Sequence, residues 1–457
     1  KKKMGSPNFG KINAAAAMLL LSLHLLLSSP TAAIDDEDAI ISRFQAYLKI
    51  NTSHPNPNYH DAAEFLIEQG KSIGLVNESR EFVEGKPVVI LKWHGSEPNL
   101  SSILLNSHVD VVPVEADKWD PEYPPFAANI SEEGNIYARG TQDVKSVGMQ
   151  YLEAVRLLKA SQFQPRRTIY LTFVPDEEIG GKEGAALFVN SSYFAEMNVG
   201  IGLDEGMANP REWYRPFYAE RSPWWLVINA TGEPGHGSGL YDNSAAENLQ
   251  KSLEAVWRFR ASQFNMIKSG NKTDGEVVSV NLAFLKAGTP TPTGFVMNTQ
   301  PSVAEAGFDI RVPPTADPES LDRRIREEYG LLLPEICHLR YPYMYYLLEI
   351  TTGIRAYIPV QDISDNITTS PWWVLLEKAV TRAGEKLGRP EIFQASTDAH
   401  YFRAKGVPVI SFSPIANTTI LAHNHKEYLN KDVYLRGIDA YVKIIEAYAS
   451  YAEHSSY

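Results

Sequence analysis

The chain has 457 residues, 44% apolar and 21% charged, which leaves room for two or three domains around a sizeable core. A formal net charge of −12 argues against nucleic acid as a partner, because phosphate binding needs a basic face. Cys337 is the sole cysteine, so no internal disulfide staples the fold and a conventional core must hold it.

Lys1, Lys2, Lys3 and Lys11 precede an apolar run over residues 14–27, and Thr31-Ala32-Ala33 then leads into Asp35-Asp36-Glu37-Asp38. Basic flank, short apolar stretch and small-residue exit predict a secretory signal peptide over residues 1–33. The run is too short for a comfortable bilayer span, so no stable membrane span is expected; an uncleaved signal anchor is the alternative. Secretion predicts N-glycan acceptors, and Asn51, Asn77, Asn99, Asn129, Asn190, Asn229, Asn271, Asn366 and Asn417 all stand in Asn-x-Ser/Thr. The expectation is an N-glycosylated protein of the secretory pathway: secreted, vacuolar or in the endoplasmic reticulum lumen.

Beyond the signal, apolar residues at helical spacing predict helices over 38–50 and 59–73, and strand-like runs follow at 81–83 and 87–93. Alternating helix and strand indicates an α/β domain. Ile103-Leu104-Leu105 reads as a central strand, and at its end His108 and Asp110 stand two apart, on the same side of an extended chain. An acid placed there can accept the second imidazole N–H of a metal-bound histidine, although an exposed His-x-Asp is common. Asp143 precedes a helical pattern of Val144, Val147, Tyr151, Val155 and Leu158. It reads either as a helix cap or as a carboxylate able to bridge two metals.

Residues 168–174 form another buried-strand run, ending in Asp176-Glu177-Glu178. Neighbouring acids repel one another and lose solvation if buried, a cost tolerated where a cation sits among them. Adjacent side chains point apart, so Glu178 is read as a metal ligand and Glu177 as the group that moves protons; an exposed acidic loop is the plain alternative. Residues 199–206 repeat the pattern and end in Asp204-Glu205. His108, Glu177, Glu178 and Asp204 or Glu205 thus fall at the C-terminal ends of predicted parallel strands, the edge where open α/β sheets bind ligands.

From Arg221 the order becomes strand 224–230, helix 244–259, strands 277–285 and 303–312, helix 318–329 and strand 341–350. This is the ferredoxin-like split βαβ arrangement, and it predicts an inserted domain over 222–355. Within it, Pro234-Gly235-His236-Gly237 presents a histidine on a glycine-rich loop, and residues 289–294 read as an unstructured loop. The α/β pattern resumes with helix 371–387, strand 407–412 and helix 433–451, with His423 and His425 between the last two. The predicted layout is a signal over 1–33, a catalytic domain over 34–221 and 356–457, and the insertion between.

Ser107-His108-Val109-Asp110, Gly140-Thr141-Gln142-Asp143, Asp176-Glu177-Glu178-Ile179-Gly180-Gly181, Leu203-Asp204-Glu205-Gly206, Pro234-Gly235-His236 and His423 four residues before Glu427 occur in one order. That order resembles the dizinc amidohydrolases of the aminoacylase/carboxypeptidase family, from about Asp38 to the C-terminus. Glu220-Arg221-Ser222-Pro223-Trp224-Trp225 and Phe412-Ser413-Pro414 resemble its aminoacylase members.

The resemblance implies a zinc-peptidase-like α/β domain with a mixed, mainly parallel sheet, plus a ferredoxin-like α+β lid and dimerisation domain. It implies two Zn2+ per subunit, one held by His108, Asp143 and Glu205, the other by Asp143, Glu178 and His423. Glu177 would be the general base and Asp110 the partner that orients His108. His236 would reach the scissile carbonyl across a homodimer interface, and Asn298 and Arg311 would contact substrate. Asp204 competes with Glu205, and His425 with His423; similarity favours Glu205 and His423. His400 stands where relatives often carry arginine, so no substrate role is carried over to it. The implied activity is zinc-dependent hydrolysis of small-molecule N-acyl-L-amino acids to a carboxylate and an amino acid. The alternatives are a related dizinc exopeptidase, an amino-acid-conjugate amidohydrolase, or a binding protein with a dead site. A serine hydrolase is disfavoured because the one Gly-x-Ser-x-Gly string, Gly70-Lys71-Ser72-Ile73-Gly74, falls at the end of the predicted helix 59–73 and not on a strand-to-helix turn.

Overall fold

The computed structural model describes residues 37–325, 337–340 and 367–452. The predicted signal, the strand at 341–350, the 355/356 boundary and Asn366 lie outside them. The main helices are α1 (Glu37–Leu48), α2 (Tyr59–Ile73), α3 (Lys145–Ala160), α4 (Ala245–Lys268), α5 (Pro318–Arg324), α6 (Pro371–Arg382), α7 (Ala399–Arg403) and α8 (Lys431–Ser450). The strands of the two larger sheets are β1 (Val76–Glu81), β2 (Pro87–Trp93), β3 (Ser102–His108), β4 (Ile169–Val174), β5 (Val199–Asp204), β6 (Pro216–Glu220), β7 (Ser222–Thr231), β8 (Ser279–Ala287), β9 (Val303–Val312), β10 (Cys337–Arg340), β11 (Glu391–Phe393) and β12 (Val409–Phe412).

The larger sheet has eight strands in the order β1-β2-β4-β3-β5-β12-β6-β11. Its centre is parallel: β3 pairs with β4 and with β5, and β5 with β12. β3 and β4 are buried along their whole length, as continuous apolar runs covered on both faces should be. Alternation splits their side chains between two cores. Ile103, Leu105, Leu171 and Phe173 pack with α1, α2, α3, α6 and α8 on one face. Leu104, Tyr170 and Val174 pack with Phe188, Phe194 and Phe402 on the other. The result is a three-layer α/β/α sandwich.

Among the described residues the second sheet has four strands, β8-β9-β7-β10, each pair antiparallel. Leu249, Val256 and Phe259 of α4 and Leu321 of α5 close one face over Leu226, Ile228, Phe308 and Ile310. Chain order through it is β-α-β-β-α-β.

Among the differences from expectation, three have identifiable reasons. β1 spans Val76–Glu81 rather than 81–83; it is a polar, largely exposed edge strand, with no apolar alternation to mark it. α4 runs to Lys268, nine residues beyond the apolar pattern, because its outer end no longer packs on the sheet and leaves Phe264 exposed. The segment expected to be an unstructured loop contains a small hairpin, Pro290 opposite Phe295 and Thr291 opposite Gly294.

Candidate metal centre

The site is built where β3, β4 and β5 end side by side. His108, the last residue of β3, stands opposite Val174, the last of β4. Past β4 the chain turns sharply: Asp176 has φ 67°, and Glu177–Ile179 form a single 3-10 turn. Asp110 fixes that turn. Its Oδ1 accepts the Glu177 N–H at 3.1 Å and its Oδ2 the Glu178 N–H at 3.0 Å. His54 Nε2 lies 2.9 Å from the same Oδ2.

Because the Asp110 carboxylate is turned to those amides, it stands 3.7 Å from His108 Nδ1, and the nearer acceptor is the Asp110 backbone carbonyl at 2.9 Å. A carbonyl only accepts, so Nδ1 carries a proton directed at the backbone, which leaves Nε2 as the nitrogen that faces the site and would bind a metal.

Asp143 is not the cap of α3; that position is Val144, and no side chain caps the helix. The Asp143 carboxylate is spread between two histidines instead. Oδ1 lies 3.1 Å from His108 Nε2, and Oδ2 lies 3.0 Å from His423 Nε2. Glu205 Oε2 is 3.6 Å from His108 Nε2, and Glu178 Oε2 is 3.2 Å from His423 Nε2. Two triads result, His108–Asp143–Glu205 and Asp143–Glu178–His423, each with its donor atoms within 4.8 Å of one another.

The paired alternatives separate by geometry. Asp204 turns away and accepts from Asn106 Nδ2 at 3.1 Å, while His425 lies 3.7 Å from Glu115. Glu177 approaches His108 Nε2 only to 4.0 Å and belongs to neither triad.

The electrostatics are those of a site short of positive charge. Burial, then Glu205, lifts the Glu177 carboxyl well above its ordinary range. Burial, with Asp143 adding to it, lifts Glu205 to about 8. Burial and Asp143 also raise Glu178. Hydrogen bonds that His423 donates to Asp143 and Glu178 raise its imidazole to about 10. Burial works against ionisation of Asp143, yet the two imidazoles hold it low. Imidazole nitrogens and carboxylate oxygens at this spacing suit a divalent cation in each triad.

A cavity of about 950 Å³ opens over these groups, lined by Met207, Pro223, Trp225, Phe393, Ile420 and Tyr401 among others. Arg311 lines it, held by Asp309 through bonds of 2.7 and 3.0 Å. His400 lines it too. His236 does not: it is exposed, with Nδ1 2.7 Å from Ser238 Oγ. Asn298 is likewise exposed outside the cavity, beside the histidine loop, where its carbonyl accepts from Gly237 N–H at 2.8 Å.

Two site groups escaped the sequence reading. His54 comes from a loop with no periodic pattern. Asp398, which no periodic pattern marks, is a buried cavity acid lifted by burial and by Asp204; its Oδ2 has no hydrogen-bond partner among the described residues.

A family model described as peptidase family M20/M25/M40 matches residues 104–447. Aminoacylase-1 of Dictyostelium discoideum is 41% identical over 420 residues, covering 90% of this chain and 97% of that protein. Aminoacylase-1 of Homo sapiens is 39% identical over 417 residues, covering 91% and 97%. Among solved structures, the M20 family metallo-carboxypeptidase Sso-CP2 of Sulfolobus solfataricus superposes with a TM-score of 0.66 at 16% identity, covering 91% of this chain and all of that one. The Bacillus subtilis YXEP protein, described as a dinuclear metal binding peptidase, gives 0.59 at 13% identity, covering 90% and 98%.

Metal uptake should release protons. At pH 7 a Glu205 carboxyl at about 8 and a His423 imidazole at about 10 both carry a proton in the metal-free protein, and a ligand must shed it. Calorimetric titration of metal-free protein with Zn2+, in buffers of different ionisation enthalpy, should show proton release and an affinity that rises with pH. Binding independent of both would contradict this ligand set.

Proposed function

The chain belongs to peptidase family M20/M25/M40 and is a metal-dependent amidohydrolase; on that premise we propose that its substrates are N-acyl-L-amino acids, split to a carboxylate and a free amino acid. The observation that carries the reading is Asp143, one carboxylate with an oxygen 3.1 Å from His108 and the other 3.0 Å from His423. Zinc is the cation this reading assigns, two per subunit, because a mixed imidazole and carboxylate donor set is a common zinc environment. His108, Asp143 and Glu205 would hold one ion, and Asp143, Glu178 and His423 the other.

The chemistry the ions supply when bound is polarisation of the amide carbonyl and acidification of water. Glu177 does the proton work. Its amide is pinned by Asp110, and its carboxyl, outside both triads, stands beside them. Burial and Glu205 bias it toward holding a proton. With cations bound its ionised form would be favoured, and the carboxylate would then accept a proton from the attacking water and deliver it to the leaving amine. Arg311 lines the cavity with Nε and one Nη2 N–H held by Asp309, and its remaining donors would suit a free α-carboxylate. The apolar lining at Met207, Trp225, Phe393 and Ile420 suits an apolar side chain or acyl group.

A homodimer is part of the same reading. His236 and Asn298 lie outside the cavity of their own chain, so each would serve the site of a second copy. β8 is the edge of its sheet and exposes Leu282, Phe284 and Leu285, an apolar edge that a second copy would cover.

We also propose passage through the secretory pathway with N-glycosylation. The signal-like segment and the acceptor sites support it, and Asn51, Asn99, Asn129, Asn190, Asn271 and Asn417 are exposed. Among the described residues no helix is long and apolar enough to cross a membrane.

With N-acetyl-L-amino acids as substrates, a chelator should abolish turnover and added zinc restore it. Glu177→Gln should lower kcat by roughly 10²–10⁴-fold with both ions still bound. Full activity of the chelated protein or of Glu177→Gln would overturn the mechanism. Mixing His236→Ala with Glu177→Gln chains should restore part of the activity that each lacks alone. No recovery, with mixed dimers demonstrably formed, would contradict a His236 that serves the site of a second copy.

A further inference from the structure

We propose that Glu427 is the positioning residue that locks the loop of Asp143 to the loop of His423, so that both metal triads share one frame. The role rests on the reading of Asp143 as the carboxylate common to two cations. Glu427 is completely buried. Its Oε1 accepts from three backbone N–H groups of one turn, Gly140 at 3.1 Å, Gln142 at 2.8 Å and Asp143 at 3.4 Å, with Thr141 Oγ1 at 3.4 Å. Its Oε2 accepts from Arg139 Nη1 at 2.5 Å, and the same nitrogen reaches the Asn424 carbonyl at 3.3 Å. A carboxylate is suited to this place because both oxygens only accept, and here each meets only donors.

Gln142 ties the same two loops a second time. Its Nε2 donates to the carbonyls of Thr419 at 3.0 Å and Tyr428 at 2.8 Å, and its Oε1 accepts from Leu421 N–H at 2.8 Å. Between these ties lies His423, with φ 65°, a left-handed conformation that a histidine keeps only where its surroundings impose it. The imidazole so presented meets Asp143 at 3.0 Å. Loosening Glu427 frees the turn that delivers the shared carboxylate and the loop that delivers His423 together. The loss therefore falls on both ions and not on one.

A buried ion pair with Arg139 would also matter to stability alone, and a control separates the two roles. Glu153 is equally buried and is held by Arg43 at 2.6 and 2.7 Å and by Arg156 at 3.3 Å, on α3. For the full chain, the wild type, Glu427→Gln, Glu427→Ala and Glu153→Gln are compared by bound-zinc stoichiometry, zinc affinity in chelator competition and thermal midpoint. Glu427→Ala should bind zinc about 10–100-fold more weakly and lose both ions in one step, the range found when the supports of metal ligands are removed. Glu427→Gln, which keeps an acceptor for the turn but sets an amide group against Arg139, should fall between. Glu153→Gln should lower the midpoint and keep wild-type zinc affinity. Glu427 variants with unchanged affinity, or a Glu153→Gln loss of equal size, would overturn the role. If Glu427→Ala does not fold, Glu427→Gln decides by the same criteria. A wild type holding fewer than two ions would overturn the shared-carboxylate reading and this role with it.

Discussion

Repulsion among carboxylates governs this molecule. Asp143, Glu177, Glu178 and Glu205 converge on two imidazoles in a largely buried pocket. Two like charges ~4 Å apart at an effective dielectric near 20 oppose each other by about 4 kcal/mol. Several such pairs rival the whole stability of a typical domain. Without cations the pocket answers by keeping protons: burial and neighbouring acids push Glu177, Glu178 and Glu205 up, while the imidazoles hold Asp143 down. Divalent ions reverse the sign of these interactions and turn an expensive cluster into a ligand set.

The rest of the fold holds the cluster against that repulsion. Three parallel strands end together and deliver His108, the Glu177–Glu178 turn and Glu205 to one edge. Asp110 converts an unfavourable pair of neighbouring acids into a fixed geometry by accepting both of their backbone amides. On the other side, Glu427 and Gln142 secure the turn before α3 to the loop of His423. The cations are thereby asked to complete a frame and not to assemble one.

Much of this was legible in the sequence, and the reason is burial. Central parallel strands are continuous apolar runs, so β3, β4 and β5 could be found, and with them the edge where His108, Glu178 and Glu205 stand. What pattern reading missed depends on partners distant along the chain. Glu427 enters the sequence reading only through its spacing from His423; that it bonds a turn 284 to 287 residues away has no local signal. His54 meets Asp110 from an irregular loop. The choice of Glu205 over Asp204 needed side-chain direction: Asp204 faces Asn106 inside the sheet, and Glu205 faces His108. β1 escaped because an exposed edge strand carries polar residues that resemble a loop.

The proposed sharing of Asp143 between two cations is open to direct observation. Crystals of the protein grown with zinc, measured on both sides of the zinc absorption edge, should show two anomalous peaks per chain. They should lie roughly 3.5–4 Å apart with the Asp143 carboxylate between them, the spacing of paired metal sites. A single peak, or two peaks with Asp143 bound to neither, would contradict a centre organised around one bridging carboxylate.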